Sequence, residues 1–376
     1  MRLLVSCIPY DGGKSGISVY VREVVSALAA QGHDLTLLVE PGEKGDVVAP
    51  SWTRRPALSM LWHLFVLPFW IWRHRRDFDG FVICAANRRV CAWYPLPTTA
   101  TVHDLANFHI PGKYSRSRMF YLAHVLPFFA KRAQYLVAVS GATKADMVKF
   151  WHCREDHVTV LYNGLAGEVG ENSSSSRVEF AHPFSNSNSN SNSSTLLYIS
   201  RIEHPGKNHV RLIEAYSRLP RPLAEAHPLV ITGSDWKDAE VVHEAAAKSP
   251  HSDLIRFTGF ASGEALEKIW SEAGYYVFPS LFEGFGLSLI EAMARGVPCA
   301  CSNNGSLGEI AGDVAITFDP ENVDDIAAAL ERLFGEPEAE REARVARGLE
   351  WIKRFSWEDH AKGLARLLGG ARNLET

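Results

Sequence analysis

The 376-residue sequence is long enough for two domains that each bury a core. Hydrophobic residues make up 46% and charged residues 22%, and the formal net charge of −4 argues against a nucleic-acid-binding protein, which usually has an excess of basic residues. The six cysteines form no paired C-x-x-C motifs, so we expect neither a zinc site nor a disulfide framework, and reduced thiols in a cytosol are the simplest interpretation.

The chain begins with alternating strand and helix patterns. MRLLVSCIPY predicts a buried first strand and not a signal peptide, because its apolar segment is too short. A glycine-rich stretch at 11–16 leads into a predicted helix at 17–30 and a strand at 34–40, an order that favours a parallel sheet. The glycine stretch can present backbone N–H groups to an anion, although it matches neither a Walker loop nor a dinucleotide fingerprint.

Residues 52–76 form an unusual segment. Positions 56–72 are apolar apart from Ser59 and His63, and arginines bracket them on both sides. Seventeen residues interrupted by Pro68 are too few for a transmembrane helix. Two interpretations stay open: a buried or half-buried helix of the first domain, or an interfacial helix with tryptophans at lipid headgroups and arginines on anionic lipid.

His103 and Asp104 follow a predicted strand that begins at Thr98, at a position where loop residues project toward a ligand. A lone histidine is more often structural than catalytic, so both interpretations stay open here. Further elements are predicted as strands at 81–86, 135–139 and 157–162, a helix at 117–133, and a helix capped by Ser140.

A Ser/Asn-rich stretch at 166–194 cannot bury a core and is predicted to be a linker or an inserted loop. The strand predicted at 195–200 opens the second domain. Arg201 and Lys207 lie in the loop after it, and Asn208 is predicted to cap the next helix. Two cations beside a helix N-terminus suit a diphosphate, since charge-assisted hydrogen bonds contribute roughly 1.5–3 kcal/mol each. The alternative is two solvated basic residues.

Strands predicted at 228–234 and 254–260 lead to VFPSLFEGFGLSLIEAMARGVP at 277–298. This stretch predicts a strand, a glycine loop that holds Glu283, and a helix that holds Glu291. The start of such a helix suits a phosphate, and a half-buried carboxylate suits sugar hydroxyls. The alternative is an ordinary strand–helix turn with two surface glutamates.

The run FPSLFEGFGLSLIEAMARGVP, continued by SNNGSLGEIAGDVAITFDP, resembles the signature of the retaining glycosyltransferases of family 4. The resemblance implies the GT-B fold, an α/β architecture of two Rossmann-like domains whose parallel sheets face each other across a cleft. Residues 1–165, joined by a C-terminal helix at 357–376, would bind the acceptor. Residues 195–356 would bind the nucleotide-sugar donor. Gly308 stands where such sequences often carry proline.

The resemblance also implies roles for individual residues. Arg201 and Lys207 would hold the donor diphosphate, Glu283 would contact the transferred sugar and Glu291 the ribose. The expected catalytic set is His103, Glu283, Arg201 and Lys207. The expected donor-binding set is Gly16, Arg201, Lys207, Glu283, Gly284, Phe285, Gly286, Leu287 and Glu291.

We therefore expect a hexosyltransferase, with mannose favoured, that acts on a glycan or polyprenyl-linked acceptor in surface polysaccharide synthesis. The TVHDL and RIEHPGKNH runs resemble mannosyl- and related hexosyltransferases, which favours GDP-mannose as the donor. No metal, other cofactor or nucleic-acid partner is expected, and the expected location is the cytoplasm, with peripheral contact to the inner face of the plasma membrane left open. The alternatives are another enzyme of this fold, such as a sugar-nucleotide epimerase, or a non-catalytic nucleotide-sugar-binding relative.

Overall fold

The computed structural model describes residues 1–10, 15–110, 112, 114–165 and 194–370. The chain divides into two compact units, Met1–Ala166 with Phe355–Thr376 and Gly167–Arg354. Residues 11–14 of the glycine stretch and 166–193 of the predicted linker lie outside the described residues.

The first unit is built on a seven-stranded parallel sheet in the order β3-β2-β1-β4-β5-β6-β7. This order places the switch point of a doubly wound fold between β1 and β4, and ligands of such folds bind beyond the carboxyl ends of the strands. The strands are β1 (Arg2–Ser6), β2 (Asp34–Val39), β3 (Val47–Val48), β4 (Gly80–Ile83), β5 (Thr98–Val102), β6 (Tyr135–Ala138) and β7 (Val158–Val160). The helices that connect them are α1 (Gly16–Ala30), α2 (Pro56–Leu61), α3 (Leu67–Arg73), α4 (Arg116–Phe120), α5 (Leu126–Ala130) and α6 (Gly141–Trp151).

Two of these helix pairs are joined by a turn of π-helix. Trp62–Val66 connects α2 to α3, and Tyr121–Val125 connects α4 to α5. Each π turn ends two residues before a proline, Pro68 or Pro127, and the widened turn relieves the clash that a proline ring makes inside a regular helix. The single helix predicted at 117–133 is therefore a helix with a π turn inside it.

The unusual segment is a half-buried helix, one of the two structural possibilities left open by the sequence. Trp62, Leu67 and Ile71 are buried against the sheet, whereas Phe69 and Trp72 are more than half exposed. No helix within the described residues is long and apolar enough to cross a bilayer.

The second unit has a six-stranded parallel sheet in the order β10-β9-β8-β11-β12-β13, again with the switch point between its first and fourth strands. The strands are β8 (Thr195–Ile199), β9 (Leu229–Thr232), β10 (Ile255–Gly259), β11 (Ala273–Phe278), β12 (Cys299–Ser302) and β13 (Ile316–Phe318). The helices are α7 (His209–Ser217), α8 (Arg221–Ala226), α9 (Ala239–Lys248), α10 (Glu264–Ser271), α11 (Leu287–Ala294), α12 (Leu307–Ala311), α13 (Val323–Gly335) and α14 (Glu338–Trp351). Short 3-10 turns lie at Ser51–Arg54, Ala106–Phe108, Glu155–His157, Ser252–Leu254 and Ile352–Arg354.

The last helix, α15 (Trp357–Gly370), returns to the first unit and packs on α1. His360 Nδ1 lies 2.9 Å from the Tyr162 carbonyl, which can only accept, so Nδ1 carries the proton. His360 Nε2 therefore accepts from the Tyr20 hydroxyl at 2.8 Å, and that hydroxyl also lies 2.9 Å from Thr101 Oγ1. This buried chain of hydrogen bonds joins α1, β5 and α15.

Candidate functional site

The loops after β8 and β11 lie side by side at the switch point of the second sheet. The backbone N–H of Leu281 donates to the Gly206 carbonyl at 3.0 Å. The hydroxyl of Tyr198 donates to the Lys207 carbonyl at 2.7 Å and lies 3.3 Å from Ser280 Oγ in the other loop. Two loops that are more than 70 positions apart in the sequence are thus fixed against each other where a parallel sheet usually binds its ligand.

Asn208 stands at the N-cap position of α7, as predicted, but its side chain connects these loops instead of capping the helix. Its backbone is left-handed, with φ 59°, and its side chain makes no capping bond. Instead the amide Nδ2 donates to the Pro279 carbonyl at 2.9 Å and to the Pro320 carbonyl at 2.7 Å. Asn208 is 2% exposed, so these bonds satisfy a buried amide.

Lys207 and Glu283 meet between the two loops. Lys207 Nζ lies 2.6 Å from Glu283 Oε1, and each side chain keeps less than a fifth of its surface exposed. The Glu283 carbonyl accepts from the Ser306 backbone N–H at 3.2 Å and from its hydroxyl at 3.0 Å. A Cβ at Gly305 would stand 2.9 Å from that carbonyl, and Gly305 has φ +61°, so a glycine is required there for this close approach.

Arg201 lies at the start of the same loop as Lys207. Its guanidinium is 3.4 Å from Glu203 and stands 5.3 Å from the centre of the Trp236 ring. Its side chain is 46% exposed. Neither cation is merely solvated, and both follow β8 at its carboxyl end.

The helix α11 begins directly after the Glu283 loop. Gly286 has φ +102°, and a Cβ there would lie 2.6 Å from the buried side chain of Leu307. Phe285 is buried, and Gly284 and Leu287 lie beside it in the chain at the start of the helix. The arrangement directs the first N–H groups of an eight-residue helix toward the carboxyl edge of the sheet.

Glu291 lies one turn into α11, half-buried and near Tyr276. Burial raises the pKa of the Tyr276 hydroxyl, and the Glu291 carboxylate adds to that rise. The hydroxyl therefore stays protonated, and it donates to Ser288 Oγ at 2.7 Å.

His103 lies in the first unit, directly after β5, and is 9% exposed. Its Nε2 is 2.7 Å from the Cys84 carbonyl, so Nε2 carries the proton and Nδ1 is the acceptor. Burial lowers the pKa of His103 to about 4, so the ring is neutral at pH 7. A neutral ring whose Nδ1 accepts a hydrogen bond suits a hydroxyl donor better than an anion. Asp104 accepts from the backbone N–H of Ala106 at 3.1 Å.

Two contacts that the sequence did not predict join α6 to the chain that follows β5. His109 Nε2 is 2.7 Å from Asp146 Oδ2 on α6, and the Thr143 hydroxyl of the same helix donates to the His103 carbonyl at 3.2 Å. The predicted cap of α6 is confirmed, because Ser140 Oγ accepts from the Thr143 backbone N–H at 3.0 Å. Gly16 is the first residue of α1, after its cap Ser15.

In the parts of the chain that the structure describes, no group of three or more His, Cys, Asp or Glu residues could hold a metal ion. An Asp-x-Asp triplet, a motif often associated with metals, occurs at Asp77-Phe78-Asp79. Asp79 accepts from the backbone and the guanidinium of Arg2 at 2.8 and 3.1 Å. Because Arg2 begins β1, this triplet lies at the amino edge of the sheet, away from the usual ligand edge.

Both halves of the chain match protein-family models. Residues 14–166 match the model described as Glycosyltransferase Family 4, and residues 182–348 match the model described as Glycosyl transferases group 1. The chain is 30% identical over 260 residues to the O-antigen chain mannosyltransferase B of Escherichia coli, covering 69% of this chain and 66% of that protein. It is 27% identical over 291 residues to the serotype-specific mannosyltransferase WbdA of Escherichia coli, covering 75% of this chain but only 35% of that protein.

A solved structure has the same fold as this chain. Sucrose-phosphate synthase from Thermosynechococcus elongatus superimposes with a TM-score of 0.76 at 18% identity, and the match covers 100% of both chains. At this identity the likeness concerns the fold alone.

Proposed function

Because the chain belongs to the family 4 glycosyltransferases of GT-B fold, we propose that it transfers a hexose from a nucleotide diphosphate sugar to a glycan, with retention of the anomeric configuration. The observation that carries the proposal is the contact between Lys207 and Glu283 at the switch point of the second sheet. Around this pair, two adjacent loops and the helix α11 hold cations that suit a diphosphate and carboxylates that suit sugar hydroxyls.

In the proposed reaction Arg201 and Lys207 bind the donor diphosphate. The bond between the sugar and the phosphate oxygen breaks, and the electron pair of that bond passes to the phosphate. The two cations stabilise the negative charge that develops there, which is electrostatic catalysis. The sugar acquires oxocarbenium character, and Glu283 binds and stabilises it. The acceptor hydroxyl attacks the anomeric carbon and gives its proton to the departing phosphate.

The remaining site residues have positioning roles in this proposal. Glu291 binds the ribose hydroxyls, and the start of α11 with Gly284, Phe285, Gly286 and Leu287 holds the phosphate and sugar. The roles proposed for the first unit are a hydrogen bond from a sugar hydroxyl to Nδ1 of His103 and a contact between Gly16 and the donor. The reaction needs no metal, because Arg201 and Lys207 supply the positive charge.

Mannose is the proposed sugar and GDP-mannose the proposed donor, because both relatives described above are named as mannosyltransferases. One of them is named for the O-antigen chain, so we propose a surface polysaccharide as the product and a glycan on a polyprenyl carrier as the acceptor. The cytoplasmic face of the membrane is the proposed location, where nucleotide sugars meet such carriers.

The test is to incubate the purified chain with GDP-mannose, GDP-fucose, UDP-glucose, UDP-galactose and UDP-N-acetylglucosamine, and to measure the release of nucleoside diphosphate. NMR of the released or transferred sugar gives its anomeric configuration. We expect release to be fastest from GDP-mannose and the first product to be the α-anomer. Isomerised nucleotide sugar would instead identify an epimerase, and nucleotide binding without turnover would identify a non-catalytic relative.

A further inference from the structure

Two helical segments of the first unit have a similar sequence and the same local backbone structure. Residues 62–73 read WHLFVLPFWIWR, and residues 121–132 read YLAHVLPFFAKR. Both contain the run Val-Leu-Pro-Phe, and both form a π turn that ends at the valine. In each the leucine N–H donates to the residue five positions earlier, from Leu67 to Trp62 and from Leu126 to Tyr121. The same turn thus occurs twice, in the connections β3 to β4 and β5 to β6.

Each segment, together with the residue before it, exposes large apolar side chains along one side of the helix. Leu61, just before the first segment, and Phe65 and Phe69 within it follow one another at intervals of four positions, and Trp72 comes three positions later. In the second segment Phe120 and Phe128 occupy the positions that correspond to Leu61 and Phe69. Phe69, Phe120 and Phe128 are 64%, 63% and 54% exposed, which is unusual for phenylalanine.

Both rows face away from the same core. Leu67 and Ile71 of the first segment and Leu126 and Ala130 of the second belong to one buried cluster on one face of the sheet. The chain between β4 and β5 connects the two segments. Trp93 stacks edge-on against Phe69 with ring centres 5.1 Å apart, and the Tyr94 hydroxyl donates to the Phe129 carbonyl at 3.2 Å. The exposed rows therefore lie on one outer face of the unit.

Positive charge flanks this face, although the whole chain has a formal net charge of −4. Residues 47–76 contain five arginines and no acidic residue, and residues 113–132 contain five basic residues and no acidic residue. The exposed arginines in residues 47–76 and 113–132 are Arg54, Arg55, Arg73, Arg75, Arg76, Arg116, Arg118 and Arg132. Arg75 and Arg132 lie over the exposed rings of Trp72 and Phe128, at 5.1 and 4.0 Å from the ring centres.

We propose that this face docks on an anionic phospholipid bilayer. We call it the twin-helix surface and define it by the exposed side chains Leu61, Phe65, Phe69, Trp72, Phe120 and Phe128 with the eight exposed arginines named above. Aromatic rings enter the boundary between headgroups and acyl chains, and arginines beside them bind lipid phosphates. The combination of exposed rings with a local absence of acidic residues favours this occupant over a second copy of the chain, whose matching face would carry the same positive charge.

The proposal changes the set of residues expected to insert. The interfacial interpretation of residues 52–76 places their tryptophans at lipid headgroups, but Trp62 is 6% exposed and packs in the core. Phe120 and Phe128, on the other segment, take part instead. The inference deepens the proposed function, because a membrane-docked enzyme can reach a polyprenyl-linked acceptor, yet binding to lipid is measurable without any reaction.

The test is co-sedimentation of the purified chain with vesicles of phosphatidylcholine alone, and with vesicles that contain 30% phosphatidylglycerol. We expect binding to the anionic vesicles at low salt, at least tenfold weaker binding to neutral vesicles, and a progressive loss of binding as salt rises. The triple variant Arg73→Ser, Arg75→Ser, Arg76→Ser should bind anionic vesicles at least tenfold more weakly, since each basic residue near an anionic surface contributes about fivefold.

The aromatic contribution is tested separately on each segment. Two double variants are tested, Phe65→Ser with Phe69→Ser and Phe120→Ser with Phe128→Ser. Each should weaken binding to anionic vesicles at least fivefold, because the lost rings no longer bury apolar area in the bilayer. Phe260→Ser is a matched control, since Phe260 is 53% exposed and lies in the second unit. Arg154→Ser, Lys248→Ser, Arg256→Ser is the control for charge, and both controls should bind like the wild type.

Absence of binding to anionic vesicles at low salt overturns the proposal, and so does wild-type binding by both phenylalanine pairs. Dimerisation that the phenylalanine variants abolish, without vesicle binding, would assign the surface to a second copy instead. Affinity for GDP, measured on the same variants, separates this proposal from the previous one. Vesicle binding without any affinity for nucleotides would contradict the proposed function and still support the docking surface.

Discussion

Lys207 Nζ and Glu283 Oε1 are 2.6 Å apart, although 76 positions separate the two residues in the sequence. The proposed function assigns them to different parts of the donor, the lysine to the diphosphate and the glutamate to the sugar. Their contact neutralises both charges. A bound diphosphate would compete for the lysine and release the glutamate to bind sugar hydroxyls.

The ion pair leads to a prediction about coupling. A double-mutant cycle with Lys207→Ala and Glu283→Ala should show a coupling of about 1–2 kcal/mol in the free energy of unfolding, between the values of exposed and buried ion pairs. With saturating GDP the coupling should fall, because Lys207 then binds phosphate. Urea unfolding with and without GDP measures both values. Equal coupling in the two conditions would mean that the lysine does not move to the nucleotide.

Glu291→Gln should weaken nucleoside diphosphate binding while the protein stays folded. A charged hydrogen-bond acceptor to a ribose hydroxyl contributes roughly 1.5–3 kcal/mol, which corresponds to a tenfold or larger rise in Kd. Titration calorimetry measures the Kd of the wild type and of the variant for GDP and for the guanine base alone. The variant should bind GDP more weakly and the base as before, whereas an equal loss for both ligands would place Glu291 elsewhere than at the ribose.

His103→Ala should slow sugar transfer at least tenfold and leave the Kd for GDP within about twofold of the wild type. The reason is that His103 lies in the first unit, whereas Lys207 and Glu283 lie in the second. The substitution also removes the hydrogen bond to the Cys84 carbonyl, which costs about 1–3 kcal/mol of stability. Initial rates are therefore compared below the unfolding transition. Transfer at the wild-type rate would show that the histidine is only structural.

The free energy of unfolding should fall as the pH falls, because the buried His63 is neutral in the folded protein. Burial lowers the pKa of His63 to about 3, and its ring nitrogen Nε2 lies 3.0 Å from Ser6 Oγ in the core. Between pH 6.5 and pH 3 this histidine binds a proton in the unfolded chain but not in the folded protein. Protonation therefore favours the unfolded chain, and the free energy of unfolding declines as the pH falls below 6.5. His63 alone should lower the free energy of unfolding by about 2 kcal/mol between pH 6.5 and pH 5.

The variant His63→Gln should reduce that slope by up to about 1.4 kcal/mol per pH unit, because glutamine does not titrate. Urea unfolding at several pH values between 5 and 7 measures the slope. A slope identical to that of the wild type would mean that His63 is protonated in the folded protein or titrates equally in both states.

The sequence was sufficient for the parts of the fold that depend on local patterns. Arg201, Lys207 and Glu283 follow apolar strands at the positions where a parallel sheet binds ligands, and the structure places the latter two in contact. The bonds of Asn208 to two prolines, one of them 112 positions away, depend on tertiary structure that no local pattern encodes. The His109–Asp146 contact was missed for the same reason, since 37 positions separate the two side chains.

The π turns could not be read from the sequence, because a proline inside an apolar helix is equally compatible with a kink or a break. Exposure along residues 56–72 was also ambiguous, since the segment is apolar on every side and helical periodicity cannot select the buried face. The structure resolves this by burying Leu67 and Ile71 and exposing Phe65 and Phe69.

Binding of GDP by titration calorimetry tests the central claim, that the edge between β8 and β11 is the diphosphate site. Wild-type protein should bind, and both Lys207→Ala and Arg201→Ala should raise the Kd at least tenfold, since each removes a charge-assisted hydrogen bond to phosphate. Arg256→Ala, which removes an exposed arginine paired with Glu272 elsewhere in the same unit, should not change the Kd. Wild-type affinity in the Lys207 and Arg201 variants would contradict the account.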